Sequence, residues 1–309
     1  MKYFREEDIA QLISEKGLID EIERFYINNP EVVVPDRIHI EDRKNTILIM
    51  PAIDTDYYAI KLVGVSPNNK KMDKPSIHGT VILHDRNTLE PLAFFDGKAV
   101  TAIRTGAIGG LSIKYLSKES ASSIGIVGTG VQGWNHLAAA LAVRDIKKVF
   151  LYNRSFDQLQ LFRQQVLNKY PNLEVISTSV EQLIKGSDII ITTTTSATPV
   201  LPELDILDWE GKHIVAVGSF KPTMQELPNS LLQHATPMFV DTLTALTESG
   251  DMIKASELQG SRGVFYTLED VVKGSHEISS SFTLFKSVGM SLFDLITAKY
   301  IYEKDTLTR

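Results

Sequence analysis

The chain has 309 residues, 43% of them apolar and 23% charged, with a net charge of −6 and no cysteine. That length accommodates two domains with separate cores, and the composition is that of a soluble globular protein. Disulfides and thiolate nucleophiles are excluded, and general nucleic-acid binding and membrane spanning are disfavoured, because no basic block and no long apolar run is present. No signal-like segment is read, so the cytoplasm is the expected compartment. His39, His78, His84, His136, His213, His234 and His276 are scattered without HxxxH or HxH pairs, so no metal site is expected.

In chain order, Thr46–Ile53, Tyr57–Val65, Gly79–Asp85 and Pro91–Asp96 are predicted antiparallel strands, joined by turn-rich stretches such as Ser66-Pro67-Asn68-Asn69. Ala99–Leu116 is a predicted long helix. Its Gly106, Gly109 and Gly110 lower helix propensity, which points to close packing against another element. From Ser123 the pattern changes. Ser123–Val127, Lys148–Tyr152, Leu173–Ser177, Asp188–Thr192, His213–Gly218 and Pro237–Val240 are predicted strands with helical segments between most of them. Such alternation predicts a parallel, doubly wound sheet. Ser281–Tyr302 is predicted as a last, largely apolar helix. The expected fold class is α/β: a Rossmann-type doubly wound parallel sheet over 117–281, plus a second, α+β domain formed by 1–116 with 282–309.

The glycine-rich turn Gly128-Thr129-Gly130-Val131-Gln132-Gly133 falls between the predicted strand Ser123–Val127 and a predicted helix Val131–Val143. There the first glycine allows a tight turn, the second lets backbone approach a pyrophosphate, and the third lets helix lie close to strand. About 20 residues further on, where an NAD site usually carries an acid for the ribose, stands Asn153-Arg154-Ser155. Asn153 removes the repulsion that an acid would exert on a 2′-phosphate, and Arg154 with Ser155 can bond to it. NADP(H) is therefore favoured, with NAD(H) possible through Asn153. Arg154 can also be read as a solvated residue at a strand end.

Three cations stand in apolar or turn settings: Arg37 within Val34-Pro35-Asp36-Arg37-Ile38, Lys61 within Tyr58-Ala59-Ile60-Lys61-Leu62-Val63, and Arg104 in the small-residue helix. A cation in such surroundings needs an anionic partner or ligand. Taken singly, the pattern favours reading each as a surface or ion-paired side chain, and Lys61 can point from the polar face of its strand.

Met50-Pro51-Ala52, Lys61-Leu62-Val63, Pro75-Ser76, Thr101-Ala102-Ile103-Arg104-Thr105, Gly128-Thr129-Gly130-Val131-Gln132 and Phe285-Lys286-Ser287-Val288-Gly289-Met290 follow in an order and spacing that resembles the ornithine cyclodeaminase/mu-crystallin family over nearly the whole chain. The resemblance implies that Arg37, Lys61 and Arg104 meet a substrate carboxylate, with Lys61 and Arg104 catalytic. It implies Ser76 and Arg104 near the nicotinamide or phosphate end of the cofactor, and Gly128, Thr129, Gly130, Val131 and Gln132 at the pyrophosphate. Asn153, Arg154 and Ser155 would lie at the ribose. Thr194, Val217, Gly218, Ser219, Ser287 and Val288 would line the nicotinamide pocket. Homodimerisation through the first domain is also implied.

The departures bear on substrate. Ornithine-cyclising members carry a Glu two residues before Met-Pro and an Asp two residues after the Val-Gly of the fifth strand, where this chain has Leu48 and Phe220. Ammonia release calls for carboxylates at those places. Val217-Gly218-Ser219-Phe220-Lys221-Pro222 is similar instead to the mu-crystallin type, which reduces cyclic ketimines. The expected activity is therefore NAD(P)H-dependent reduction of a small cyclic imino acid, with Phe220 and Val288 among the substrate-binding residues. The alternatives are an ornithine cyclodeaminase, an alanine dehydrogenase-type or N-alkyl amino-acid dehydrogenase, and a non-catalytic NADP-dependent ligand-binding protein.

Overall fold

The structure is a computed structural model that describes residues 1–307, apart from Ser279 and the side chain of Lys70. Positions 279, 308 and 309 of the two expected domains lie outside the described residues. The chain divides into two compact units, Met1–Arg104 with Met290–Arg309, and Thr105–Gly289. The expected division at 116/117 and 281/282 is displaced at both crossings.

The first unit begins with β1 (Lys2–Phe4), α1 (Glu6–Leu12) and α2 (Glu15–Asn28), followed by β2 (Ile38–Asp42), β3 (Asn45–Ile53), β4 (Tyr57–Val65), β5 (Ile77–Asp85) and β6 (Pro91–Asp96). These strands form one sheet in the order β1-β6-β5-β4-β3-β2, with only the β1–β6 pair parallel. The four expected antiparallel strands are present, and β1 and β2 extend the sheet at its edges. Met50 on β3 and Val81 on β5 flank Lys61 on β4 in register, so all three share one face of the sheet. Asp96 then accepts from the backbone N–H groups of Lys98 and Ala99 at 2.8 and 3.0 Å, which starts α3 (Gly97–Leu116).

The second unit carries β7 (Ser123–Val127), α4 (Val131–Val143), β8 (Lys148–Tyr152), α5 (Phe156–Lys169), β9 (Glu174–Ser177), α6 (Val180–Gly186), β10 (Ile189–Thr192), β11 (His213–Ala216), α7 (Asn229–His234) and β12 (Met238–Val240). It continues with α8 (Ala245–Glu248), α9 (Gly250–Gln259), β13 (Phe265–Thr267), α10 (Leu268–Val272) and β14 (Thr283–Lys286). All eight strands are parallel, in the order β13-β12-β14-β11-β10-β7-β8-β9. The order reverses between β7 and β10, the hallmark of a doubly wound sheet. With helices over both faces, strands such as Ile189-Ile190-Ile191 are apolar throughout and fully buried. The small residues of α3 meet the expected close neighbour. A Cβ on Gly106 would fall 2.7 Å from the Asn135 carbonyl oxygen, and one on Gly109 2.4 Å from the His136 ring, both on α4.

The last expected helix requires correction. Ser281–Tyr302 is not one helix: β14 occupies Thr283–Lys286, and α11 begins only at Ser291 (Ser291–Leu307). A four-residue segment, Thr283-Leu284-Phe285-Lys286, is too short to show a helical or strand periodicity of its own, and its place between β11 and β12 decides the matter. Helix α11 belongs to the first unit, where it packs on β3 and β4. No helix among the described residues is long and apolar enough to cross a membrane.

Candidate active site

In the first unit, Lys61 on β4 and Arg104 on α3 are both buried, at 4% and 5% exposure, and both turn to Asp294 on α11, which is 1% exposed. Lys61 Nζ donates to Asp294 Oδ1 at 3.0 Å and to Thr101 Oγ1 at 2.7 Å; Arg104 Nε lies 3.4 Å from the same Oδ1. Within the protein Arg104 Nη1 and Asp294 Oδ2 have no hydrogen-bond partner. Buried polar groups are ordinarily paired, so these two atoms stand out as able to take a polar partner. Burial lowers the Lys61 pKa to about 8, Asp294 opposes that shift, and the charges of Arg104 and of half-buried Arg37 add to it. The charges of Arg37 and Arg104 thus both act on Lys61.

Leu48 lies on the same sheet face as Lys61, since residues 48 and 50 alternate with 49 and Met50 pairs with Lys61. The acid that serves Lys61 in this chain is Asp294. Sequence reading missed it, although one signal was available: a single Asp inside the apolar run Leu292-Phe293-Asp294-Leu295-Ile296. Ser76 stands just before β5 with its hydroxyl buried and without a partner.

In the second unit the glycine turn has the geometry its sequence required. Gly128 has φ +103, a conformation side chains disfavour, and its carbonyl accepts from Thr193 Oγ1 at 2.8 Å. A Cβ on Gly133 would fall 2.4 Å from the Gly128 carbonyl oxygen, whereas one on Gly130 would meet nothing within 4 Å. Gly130 is the N-cap of α4 and offers no side-chain cap to the helix. Thr129 Oγ1 and Gln132 Oε1 are buried and unpartnered, and Val131 is exposed. A dinucleotide pyrophosphate fits this cradle: open space over Gly130, uncapped helix N–H groups, and polar side chains awaiting partners.

Asn153 Nδ2 donates to the Ser155 carbonyl at 3.3 Å and to Gln158 Oε1 at 3.2 Å; Arg154 is exposed. Ser155 caps α5, its Oγ accepting from Gln158 N at 3.4 Å. The Ser219 hydroxyl turns inward to the Met224 carbonyl, and Phe220 is 42% exposed. Thr194 and Gly218 lend their backbone N–H groups to buried Glu226. Asp241 gathers the Ser287 hydroxyl and the N–H groups of Val288 and Gly289 at 2.6–3.0 Å from Oδ2. Sequence reading also missed Asp241 and Glu226; each acts through a backbone partner remote in sequence. Among the described residues no group of three or more His, Asp or Glu side chains could hold a metal.

The model of the ornithine cyclodeaminase/mu-crystallin family matches residues 3–308. The chain belongs to that family. One relative within it, the Δ1-pyrroline-2-carboxylate reductase of Bacillus cereus, is 39% identical over 282 residues, 88% of this chain and 85% of the relative. The solved Δ1-pyrroline-2-carboxylate reductase of Thermococcus litoralis, in complex with NADH and L-proline, superposes with a TM-score of 0.89 at 32% identity, covering 100% of this chain and 98% of the other. An archaeal alanine dehydrogenase, solved as a dimer with bound NAD, gives 0.88 at 28% identity, covering 99% and 96%.

Proposed function

We propose that the protein reduces the carbon–nitrogen double bond of a small cyclic imino acid, Δ1-pyrroline-2-carboxylate or Δ1-piperideine-2-carboxylate, to the cyclic amino acid. The observation that carries this reading is the buried pair Lys61 and Arg104 sharing the single acid Asp294, with Leu48 on the Lys61 face. The cations suit a carboxylate. Leu48 and Phe220 supply none of the proton-transfer groups that ammonia release demands.

Arg104 presents an unpartnered Nη1, and Lys61 and Arg37 add charge to hold the substrate carboxylate. Gly128, Thr129, Gly130, Val131 and Gln132 hold the pyrophosphate of the dinucleotide, with Asn153, Arg154 and Ser155 at its ribose. Thr194, Val217, Gly218, Ser219, Ser287 and Val288 would line the nicotinamide end in the second unit, where Phe220 would face the substrate; Ser76 of the first unit is a further cofactor-binding residue. A reduced nicotinamide held by these residues would supply a hydride for C2 of the imine. Lys61, protonated below about pH 8, gives the imine nitrogen its proton, so C=N becomes CH–NH with one hydride and one proton consumed. Orientation supplies most of the acceleration. Exposed Arg154 and uncharged Asn153 favour NADP(H) over NAD(H).

The protein works as a homodimer. Ile38 and Ile40 on β2, Ile47 on β3 and Leu62 on β4 share the sheet face opposite Lys61 and are 39–52% exposed, an apolar patch suited to a second copy.

The decisive measurement is oxidation of NADPH and of NADH with each cyclic imine, beside ammonia release from ornithine with NAD and amination of pyruvate. Imine-dependent oxidation with NADPH preferred is expected. Ammonia release or pyruvate amination without imine reduction would refute the reading.

A further inference from the structure

Glu226, Asp251 and Lys286 of the second unit are each fully buried, and the reaction described above uses none of them. Glu226 Oε1 accepts from the backbone N–H of Thr194 at 2.5 Å. Its Oε2 accepts from the N–H of Gly218 at 2.6 Å and from Thr192 Oγ1 at 2.9 Å. Asp251 Oδ1 in turn accepts from Glu226 N and Leu227 N at 2.9 and 3.1 Å, and Lys286 Nζ lies 3.6 Å from Asp251 Oδ2. Burial pushes the Glu226 carboxyl up, and the Lys286 charge works against that. Buried ionic clusters are a poor device for stability, since well-packed apolar residues often do as well or better. This one is aimed at two particular peptides.

Thr194 follows β10 and Gly218 follows β11, both at the carboxyl ends of their strands. In a doubly wound sheet the dinucleotide crosses those ends at the switch between β7 and β10. The adenosine then falls on the β8 side, and the nicotinamide toward β10 and β11. A trans peptide holds its N–H and C=O on opposite sides of one plane. Pinning the Gly218 N–H onto Glu226 therefore turns the Val217 carbonyl away from the carboxylate. Glycine is required for this approach: a Cβ at 218 would fall 1.8 Å from the Thr194 carbonyl oxygen and 2.5 Å from Glu226 Oε1.

We propose that Glu226 is a positioning residue that fixes the 217–218 peptide so that the Val217 carbonyl accepts a hydrogen bond from the carboxamide of the nicotinamide. The proposal rests on the reading of the second unit as a nicotinamide dinucleotide site and is independent of the imine substrate. Asp251 ties down the backbone N–H of Glu226, and the Lys286 charge favours its ionised carboxylate.

The test crosses a change in the protein with a change in the ligand. Dissociation constants for the oxidised dinucleotide and for its 3-acetylpyridine analogue, in which a methyl replaces the carboxamide NH2, are measured calorimetrically. The proteins are the wild type, Glu226→Gln and Glu226→Asp. The wild type should bind the native dinucleotide tighter by on the order of fivefold, the effect of one net hydrogen bond. In both variants that ratio should fall toward one. Folded variants that lose affinity for both ligands equally and keep the ratio would overturn the proposal, because a purely structural role predicts that. A wild-type ratio of one would overturn it whether or not the variants fold. Failure of the wild type to bind either ligand would overturn it together with the cofactor reading. Discrimination by a protein that turns over no imine would support it and remove only the imine substrate.

Discussion

Lys61 keeps a proton close to neutral pH because burial works against its charge while Asp294 works for it, and the balance leaves a pKa of about 8. A lysine so placed donates below that value and has lost its proton above it, so kcat/KM for imine reduction should fall as pH rises through about 8. Asp294→Asn removes the opposing charge and lets burial prevail. The fall should then move to lower pH, with the rate at pH 8 down by on the order of tenfold. A pH profile of kcat/KM for both proteins checks this, and an unmoved alkaline limb would remove Asp294 from that role. Lys61 and Arg104 were legible in the sequence because a cation amid apolar residues advertises a need for a partner. Asp294 gives the same kind of signal inside its own apolar run, but nothing local pairs it with Lys61, 233 positions away.

The glycine turn was legible down to its individual residues because strand, turn and helix are contiguous and their chemistry is local. The structure separates two of those glycines by what each one makes room for. A methyl on Gly133 would be driven into the Gly128 carbonyl at 2.4 Å, parting α4 from β7; one on Gly130 would meet no protein atom within 4 Å. Gly133→Ala should therefore lower stability by about 1–3 kcal/mol and weaken dinucleotide binding with it. Gly130→Ala should leave the melting temperature nearly unchanged while dinucleotide affinity falls at least about tenfold, the new methyl standing where backbone must approach phosphate. Thermal melts and titrations on the two variants would read this contrast, and equal melting losses would contradict it. The sequence misled at β14. Thr283-Leu284-Phe285-Lys286 looked like the start of the following helix because four residues with a central apolar pair fit either structure, and only sheet neighbours nonadjacent in sequence select the strand.

The two-unit organisation was visible as a change of pattern near residue 123, and the family as a coincidence of motifs spread from Met50 to Met290. Association was implied only by resemblance, because exposed isoleucines on β2 and β3 look in sequence like any alternating strand. Their pairing, Ile40 against Ile47 with Ile38 and Leu62 on the same face, turns them into one patch. Charging it with Ile40→Lys and Ile47→Lys together should shift sedimentation from dimer to monomer and leave the melting of each unit's core little changed. A dimer that persists would place the interface elsewhere.

Lys61, Arg104 and Asp294 carry two positive charges and one negative, held where water scarcely reaches, while the charge of half-buried Arg37 is softened by solvent. On the proposed reading, the buried three together present one positive charge in excess to a ligand, with Arg37 adding a solvent-softened one. A ligand with a single carboxylate would bring the three to neutrality, whereas a second carboxylate would enter with no buried counterion left for it. On that reading, valence before ring size should set which acids are reduced.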